Sequence, residues 1–178
     1  MTGWGWVALG SQDTIKSPTC DGAPISSDSP CLGATVWNSA TALCVNGYVP
    51  ALPAIPLGSD YDKNWGIEVA INASVLPGGG LGTSFRTITV LLSGSPATGL
   101  RLLVHRANDS PAVSYCANVV PGVAVQLTSL NTACWDYSGN TLAMADVPNI
   151  DWIGVMVPSS SVAIAVNNLC LTGILFGT

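Results

Sequence analysis

Beyond about residue 41 the chain runs in short apolar, β-branched stretches, each closed by a cluster of Gly, Pro, Asn or Ser. The stretches fall at 42–49, 65–73, 85–92, 99–106, 112–117, 123–128, 151–157 and 162–176. The breaks include Pro50 to Gly58, Pro77 to Gly82, Gly94 to Gly99, Asn108 to Pro111, Pro121-Gly122, Ser138 to Asn140 and Pro158 to Ser160. Strands at this spacing, separated by turn residues, predict an all-β sandwich. No segment sustains apolar residues at i, i+3, i+4 and i+7, so long helices are not expected. Residues 59–64 offer the best short helix, a single turn. Residues 1–40 differ in texture: they are rich in Ser, Thr, Asp, Pro and Gly, with Trp4, Trp6, Trp37, Cys20 and Cys31 among them. They read as an irregular, disulfide-pinned segment docked on a main domain of residues 41–178.

Within a strand, alternate side chains point to opposite faces. Trp65, Ile67, Val69 and Ile71 share one face, and Gly66, Glu68, Ala70 and Asn72 the other. In the same way Ile88, Val90 and Leu92 oppose Phe85, Thr87, Thr89 and Leu91, and Leu100, Leu102 and Val104 oppose Arg101, Leu103 and His105. Val123, Val125 and Leu127 oppose Ala124, Gln126 and Thr128, and Ile153, Val155 and Val157 oppose Trp152, Gly154 and Met156. Each strand therefore has one apolar face and one mixed face. If the strands share a sheet, the mixed face collects Glu68, Thr87, Thr89, Arg101, His105, Gln126, Trp152 and Met156. Of these, Glu68, Arg101, His105, Gln126 and Trp152 are the candidate ligand-binding residues. The C–H face of a pyranose packs on an indole, and its hydroxyls suit carboxylate, amide and guanidinium groups. The same pattern also fits a solvated face on which Glu68 and Arg101 pair across strands. Among the other tryptophans, Trp65 falls on the apolar face and Trp135 is expected to pack on the disulfide of its neighbour Cys134.

The six cysteines are Cys20, Cys31, Cys44, Cys116, Cys134 and Cys170. Their even number, wide spacing and lack of a CxxC pair read as three disulfides rather than a zinc site. The expected pairs are Cys20–Cys31, Cys44–Cys170 and Cys116–Cys134. The first and last close local loops. The second joins Leu43-Cys44-Val45-Asn46-Gly47 to the similar Leu169-Cys170-Leu171-Thr172-Gly173, tying the first core strand to the last. Disulfides imply an oxidising compartment. The start of the chain lacks a secretory signal; an exported protein is still expected, with Met1 standing where a leader was removed. No apolar run is long enough to predict a membrane span.

Charge narrows the functional classes. The 178 residues carry only five Lys or Arg and ten Asp or Glu, a net charge of −5. Five cations cannot neutralise many phosphates, so nucleic acid is not an expected partner. Catalysis finds little support. His105 is the single histidine, no GxSxG elbow occurs, and Glu68 is the only glutamate, with no second carboxylate evidently paired to it. The Gly78-Gly79-Gly80-Leu81-Gly82 run lacks the Lys-Ser/Thr and helix of a phosphate loop. Scarce charge also leaves sheet edges poorly protected against association.

Asn64-Trp65-Gly66-Ile67-Glu68-Val69-Ala70-Ile71-Asn72 is similar to the YWG-x-G strand of secreted bacterial β-jelly-roll domains of the galactose-binding-like type, which are often attached to glycan-degrading enzymes. Tyr115-Cys116 with Cys134-Trp135-Asp136 resembles the internal disulfide of that group. Ile153 to Val157 and Asn168-Leu169-Cys170-Leu171-Thr172-Gly173-Ile174 resemble its closing strands. The likeness spans about residues 41–176. It implies a jelly roll of two antiparallel sheets and a noncatalytic domain that binds a polysaccharide or oligosaccharide outside the cell. Such domains often hold a structural calcium, for which Asp60 and Asp62 are the candidate ligands; a turn or a helix cap by Asp60 explains the same residues. No other cofactor is expected. The alternative is a structural or self-assembling surface or fibre protein, and a hydrolase or lyase on the same sandwich is a third reading.

Overall fold

A computed structural model describes residues 5–9, 42–49, 66–73 and 79–178. Nine strands are found among them: β1 (Gly5–Leu9), β2 (Leu43–Val49), β3 (Gly66–Asn72), β4 (Thr87–Ser95), β5 (Leu100–Arg106), β6 (Tyr115–Val119), β7 (Val125–Gln126), β8 (Ile150–Pro158) and β9 (Ile164–Gly177). They form a five-stranded sheet, β1-β3-β8-β5-β6, and a four-stranded sheet, β2-β9-β4-β7. Every pairing is antiparallel. The chain changes sheet at most steps, so neighbours in space are distant in sequence, as in a jelly roll.

Period-two alternation places the core between the sheets. Ile67 and Val69 of β3, Leu100, Leu102 and Val104 of β5, and Ile153, Val155 and Val157 of β8 line the five-stranded sheet. Leu43 and Val45 of β2, Ile88 and Val90 of β4, and Val166, Leu169 and Leu171 of β9 face them. Most are entirely shielded from solvent. Removal of such a side chain from water stabilises the fold by roughly 1.5–3 kcal/mol. The cluster contains no charged residue and no cysteine.

Both described disulfides lie outside this core, one on each sheet. Cys44 and Cys170 are direct partners across β2 and β9, with Cα atoms 3.9 Å apart. Their neighbours Leu43, Val45, Leu169 and Leu171 point inward, so alternation turns the sulfurs outward. Cys116 of β6 lies between inward-facing Tyr115 and Ala117 and bonds Cys134. The expected pairs Cys44–Cys170 and Cys116–Cys134 are present; Cys20, Cys31 and the short helix expected at 59–64 lie outside the described residues.

Three features depart from the sequence pattern. Gly5–Leu9 pairs with β3 from Gly5↔Ile71 to Leu9↔Ile67, so part of the N-terminal segment is a regular edge strand. The stretch at 123–128 supplies only the two residues of β7, because Leu127–Ser129 turns into a 3₁₀ helix that buries Leu127. A second 3₁₀ helix, Met144–Asn149, precedes β8. Gly66 opens β3 at φ +124°, and a Cβ there would lie 2.0 Å from the Val157 carbonyl oxygen, so this start of the strand requires glycine. Among the described residues no helix is long and apolar enough to cross a membrane.

Candidate functional site

The structure brings four of the five predicted ligand-binding residues onto one surface, the outer face of the five-stranded sheet. Met156 of β8 lies opposite both Glu68 of β3 and Arg101 of β5. Four residues along, Trp152 lies opposite Asn72 of β3 and His105 of β5. Gln126 is not part of this surface. It pairs with Thr87 at the edge of the four-stranded sheet, on which Thr89 also lies. Alternation fixes the face of a residue but not the sheet its strand joins, so the single mixed face expected from the sequence divides in two. Asp60 and Asp62 lie outside the described residues, and among those described no three metal-capable side chains cluster.

Much of this outer face is covered. Glu68 and His105 are each only 6% exposed, and Leu103 and Met156 are buried beside them. Glu68 does not form the cross-strand neighbour pair with Arg101, because β8 and Met156 stand between them, a separation of about 10 Å across two strand spacings. Its side chain lies over Gly154, where a Cβ would come within 2.7 Å of Oε1. Oε1 is buried without a hydrogen-bond partner. Burial pushes the Glu68 carboxyl up to about 8, so the neutral acid is the form held at pH 7.

His105 is held on both ring nitrogens. Nδ1 lies 2.7 Å from Asp151 Oδ1, and Nε2 lies 3.3 Å from the Ser110 carbonyl oxygen. Asp151 is the extra residue of a bulge: His105 pairs with Trp152 but Arg106 with Ile150. The bulge lets an aspartate side chain reach a histidine on the neighbouring strand. The His105 ring stacks on Trp152 at 5.5 Å between centroids, with planes within 3°. The Asp151 and Ser110 contacts hold the imidazole in the plane that stacks on Trp152. Trp152 and Arg101 are half-buried, and Asn118, opposite Arg101 on β6, is exposed.

The more exposed aromatics lie on the loop that follows. Cys134 packs with Leu103, Cys116 and Met156, the cluster against which Trp152 also packs. From this root the chain turns outward, and Trp135 is 64% exposed and Tyr137 59%. Trp135 was expected to cover the disulfide; Trp152 is the tryptophan packed against that cluster, and Trp135 is largely exposed. The loop is tightly closed. Buried Asn131 accepts from the Ala133 amide at 2.7 Å and donates to the Gly139 carbonyl at 2.9 Å. The Tyr137 amide donates to the Ala133 carbonyl at 2.7 Å, with Tyr137 in the left-handed region at φ 61°. The Thr132 amide donates to the Asn140 carbonyl, and the Asn140 amide returns a bond to Thr132 Oγ1, both at 3.0 Å. A Cβ on Gly139 would lie 2.6 Å from the Ala133 nitrogen, which leaves room only for glycine. The sequence signal for this element is Trp and Tyr two apart, inside a run of turn residues beside a cysteine.

Arg106 braces the rim. Its Nε and Nη2 donate to the two Asp109 oxygens at 2.6 Å each, its Nη1 donates to Asp146, and its guanidinium carbon lies 4.9 Å from the Tyr115 ring centre. The Arg106 bond holds the Asp109 carboxyl below the usual range. The guanidinium thus joins β5 to the 3₁₀ helix before β8 and is committed to structure.

Glu68 generates a pH prediction. Its unfolded value is near 4.5 and its folded value about 8. Between these the folded state keeps a proton that the unfolded state releases, so stability falls as pH rises from 4.5 toward 8 and levels off above it. The slope from this residue reaches at most about 1.4 kcal/mol per pH unit. Urea unfolding at pH 5, 7 and 8.5 is expected to show this decline in the parent and its loss in Glu68→Gln. An equal slope in the variant would exclude Glu68 as the source.

No protein-family model matches the sequence, and no curated protein is significantly similar to it.

Proposed function

We propose that this chain is a noncatalytic carbohydrate-binding domain of an exported protein, with the Trp135–Tyr137 loop and the neighbouring Trp152 surface as its contact site. The observation that carries this reading is the exposure of Trp135 and Tyr137, 64% and 59%, on a loop closed by a disulfide and by backbone hydrogen bonds. Large aromatic groups held in water on a rigid element gain free energy when an apolar surface covers them. The C–H face of a pyranose is such a surface, and its hydroxyls remain free to bond the polar groups beside it. Rigidity lowers the ordering cost on binding. The sandwich architecture and the resemblance to galactose-binding-like jelly rolls agree with this function, and the disulfides agree with an extracellular setting. Affinity electrophoresis of the oxidised protein through gels containing soluble polysaccharides is expected to show retardation by at least one glycan. Trp135→Ala should weaken it about tenfold, or about 1.4 kcal/mol, and Trp152→Ala should weaken it less. Undiminished binding by Trp135→Ala would remove the loop from the site.

A second reading, self-association, is favoured by the other sheet. Among the described residues, its outer positions Cys44, Thr87, Thr89, Leu91, Gln126, Cys170, Gly173 and Leu175 carry no charge, and Leu175 is 54% exposed. For a chain of net charge −5, such a face is where two copies meet with least repulsion. Light scattering across a concentration series is expected to report a mass above the monomer on this reading. A constant monomer mass at millimolar concentration would exclude it.

A further inference from the structure

We propose that the glycan taken at the Trp135–Tyr137 loop is an uncharged one, and that Asp136, between the two aromatics, enforces this choice by accepting sugar hydroxyls and repelling acidic sugars. The inference rests on the carbohydrate-binding reading and specifies its ligand class. Asp136 is exposed at the tip of the loop. Its Oδ1 accepts from the Ser138 amide at 2.9 Å and from the Ser138 hydroxyl at 2.8 Å. These bonds fix the direction of the carboxylate, and Oδ2 takes part in neither. They also hold the carboxyl below its usual range, so it is ionised at neutral pH. An anchored carboxylate on a residue between two exposed aromatic residues is a strong acceptor for hydroxyls on a stacked sugar. The same charge opposes a uronate or sulfate arriving at that position.

The surrounding charges point the same way. No Lys or Arg follows Arg106 in the sequence, so the loop and every strand after it lack a cation. Arg106 itself is bound to Asp109 and Asp146 at the rim. Arg101, half-buried on the outer face of the same sheet, is the described cation that an acidic glycan could meet there. Retention of acidic glycans would therefore reveal control by Arg101 in place of Asp136.

The test is affinity electrophoresis of the intact, oxidised chain against two panels. The neutral panel holds galactomannan, xyloglucan and mixed-linkage β-glucan; the acidic panel holds polygalacturonate, alginate and heparin. Retention by at least one neutral glycan and by no acidic one is expected, with little change between 50 and 500 mM salt, since no ion pair is involved. Asp136→Asn should reduce affinity for the retained neutral glycan about three- to tenfold, about the weight of one charge-assisted hydrogen bond. Ser138→Ala, which leaves the carboxylate in place, should stay within about twofold. Thermal melts confirm that both variants fold. Acidic glycans retained as strongly as neutral ones would overturn the proposal while leaving carbohydrate binding intact. So would unchanged affinity in Asp136→Asn, or an equal loss in Ser138→Ala, which would make Asp136 a brace and not a contact. Retention by no glycan in either panel would overturn the binding reading itself, and this inference with it.

Discussion

The Cys116–Cys134 bridge spans a sequence separation of 18 residues and roots the 131–141 loop against Leu103 and Met156 on the five-stranded sheet. A link of this length removes about 3 kcal/mol of chain entropy from the unfolded state in the loop-closure account. Its local effect matters more for function. With Cys134 fixed, Asn131 can bond both the entry and the exit of the turn, and Trp135, Asp136 and Tyr137 are left facing water.

The two sheets follow one plan. The two described sulfur bridges lie on the outer faces, and the core between the sheets is formed by aliphatic and aromatic side chains. Charge is distributed unevenly around this frame. Glu68 and Arg101 lie on the five-stranded sheet, and His105 with Asp151, and Arg106 with Asp109 and Asp146, form compact pairs at its end. The opposite outer face has none among the described residues. Among the described residues, the paired charges hold local geometry, at a bulge and at a rim. Glu68 is the exception, a buried acid kept neutral in the space that Gly154 provides.

Much of the fold was legible in the sequence. The strand stretches from 42 to 176 correspond to β2 through β9, and the likeness between the segments around Cys44 and Cys170 marked two strands that are direct neighbours. Alternation also separated Leu102 and Val104 from Arg101 and His105 correctly. It could not say which strands share a sheet, so Gln126 was placed with residues on the far side of the molecule. Nor could it register that an outward face is itself covered, as at Glu68 and His105, because burial depends on what packs above the sheet. Trp135 shows the limit most clearly. Its position beside a cysteine suggested packing, yet Trp135 is largely exposed on a loop closed by Asn131 and by the left-handed turn at Tyr137.

The account stands on the rigidity of the loop that presents the aromatics. Amide hydrogen exchange measures this directly at the donors that close it, Ala133, Tyr137 and Asn140. In the oxidised protein these amides are predicted to exchange slowly, near the rates of the β6 strand, and to lose that protection in the Cys116→Ser, Cys134→Ser double variant while β8 stays protected. Exchange at unstructured-chain rates with the disulfide intact would contradict the account, because the loop would then present no fixed surface.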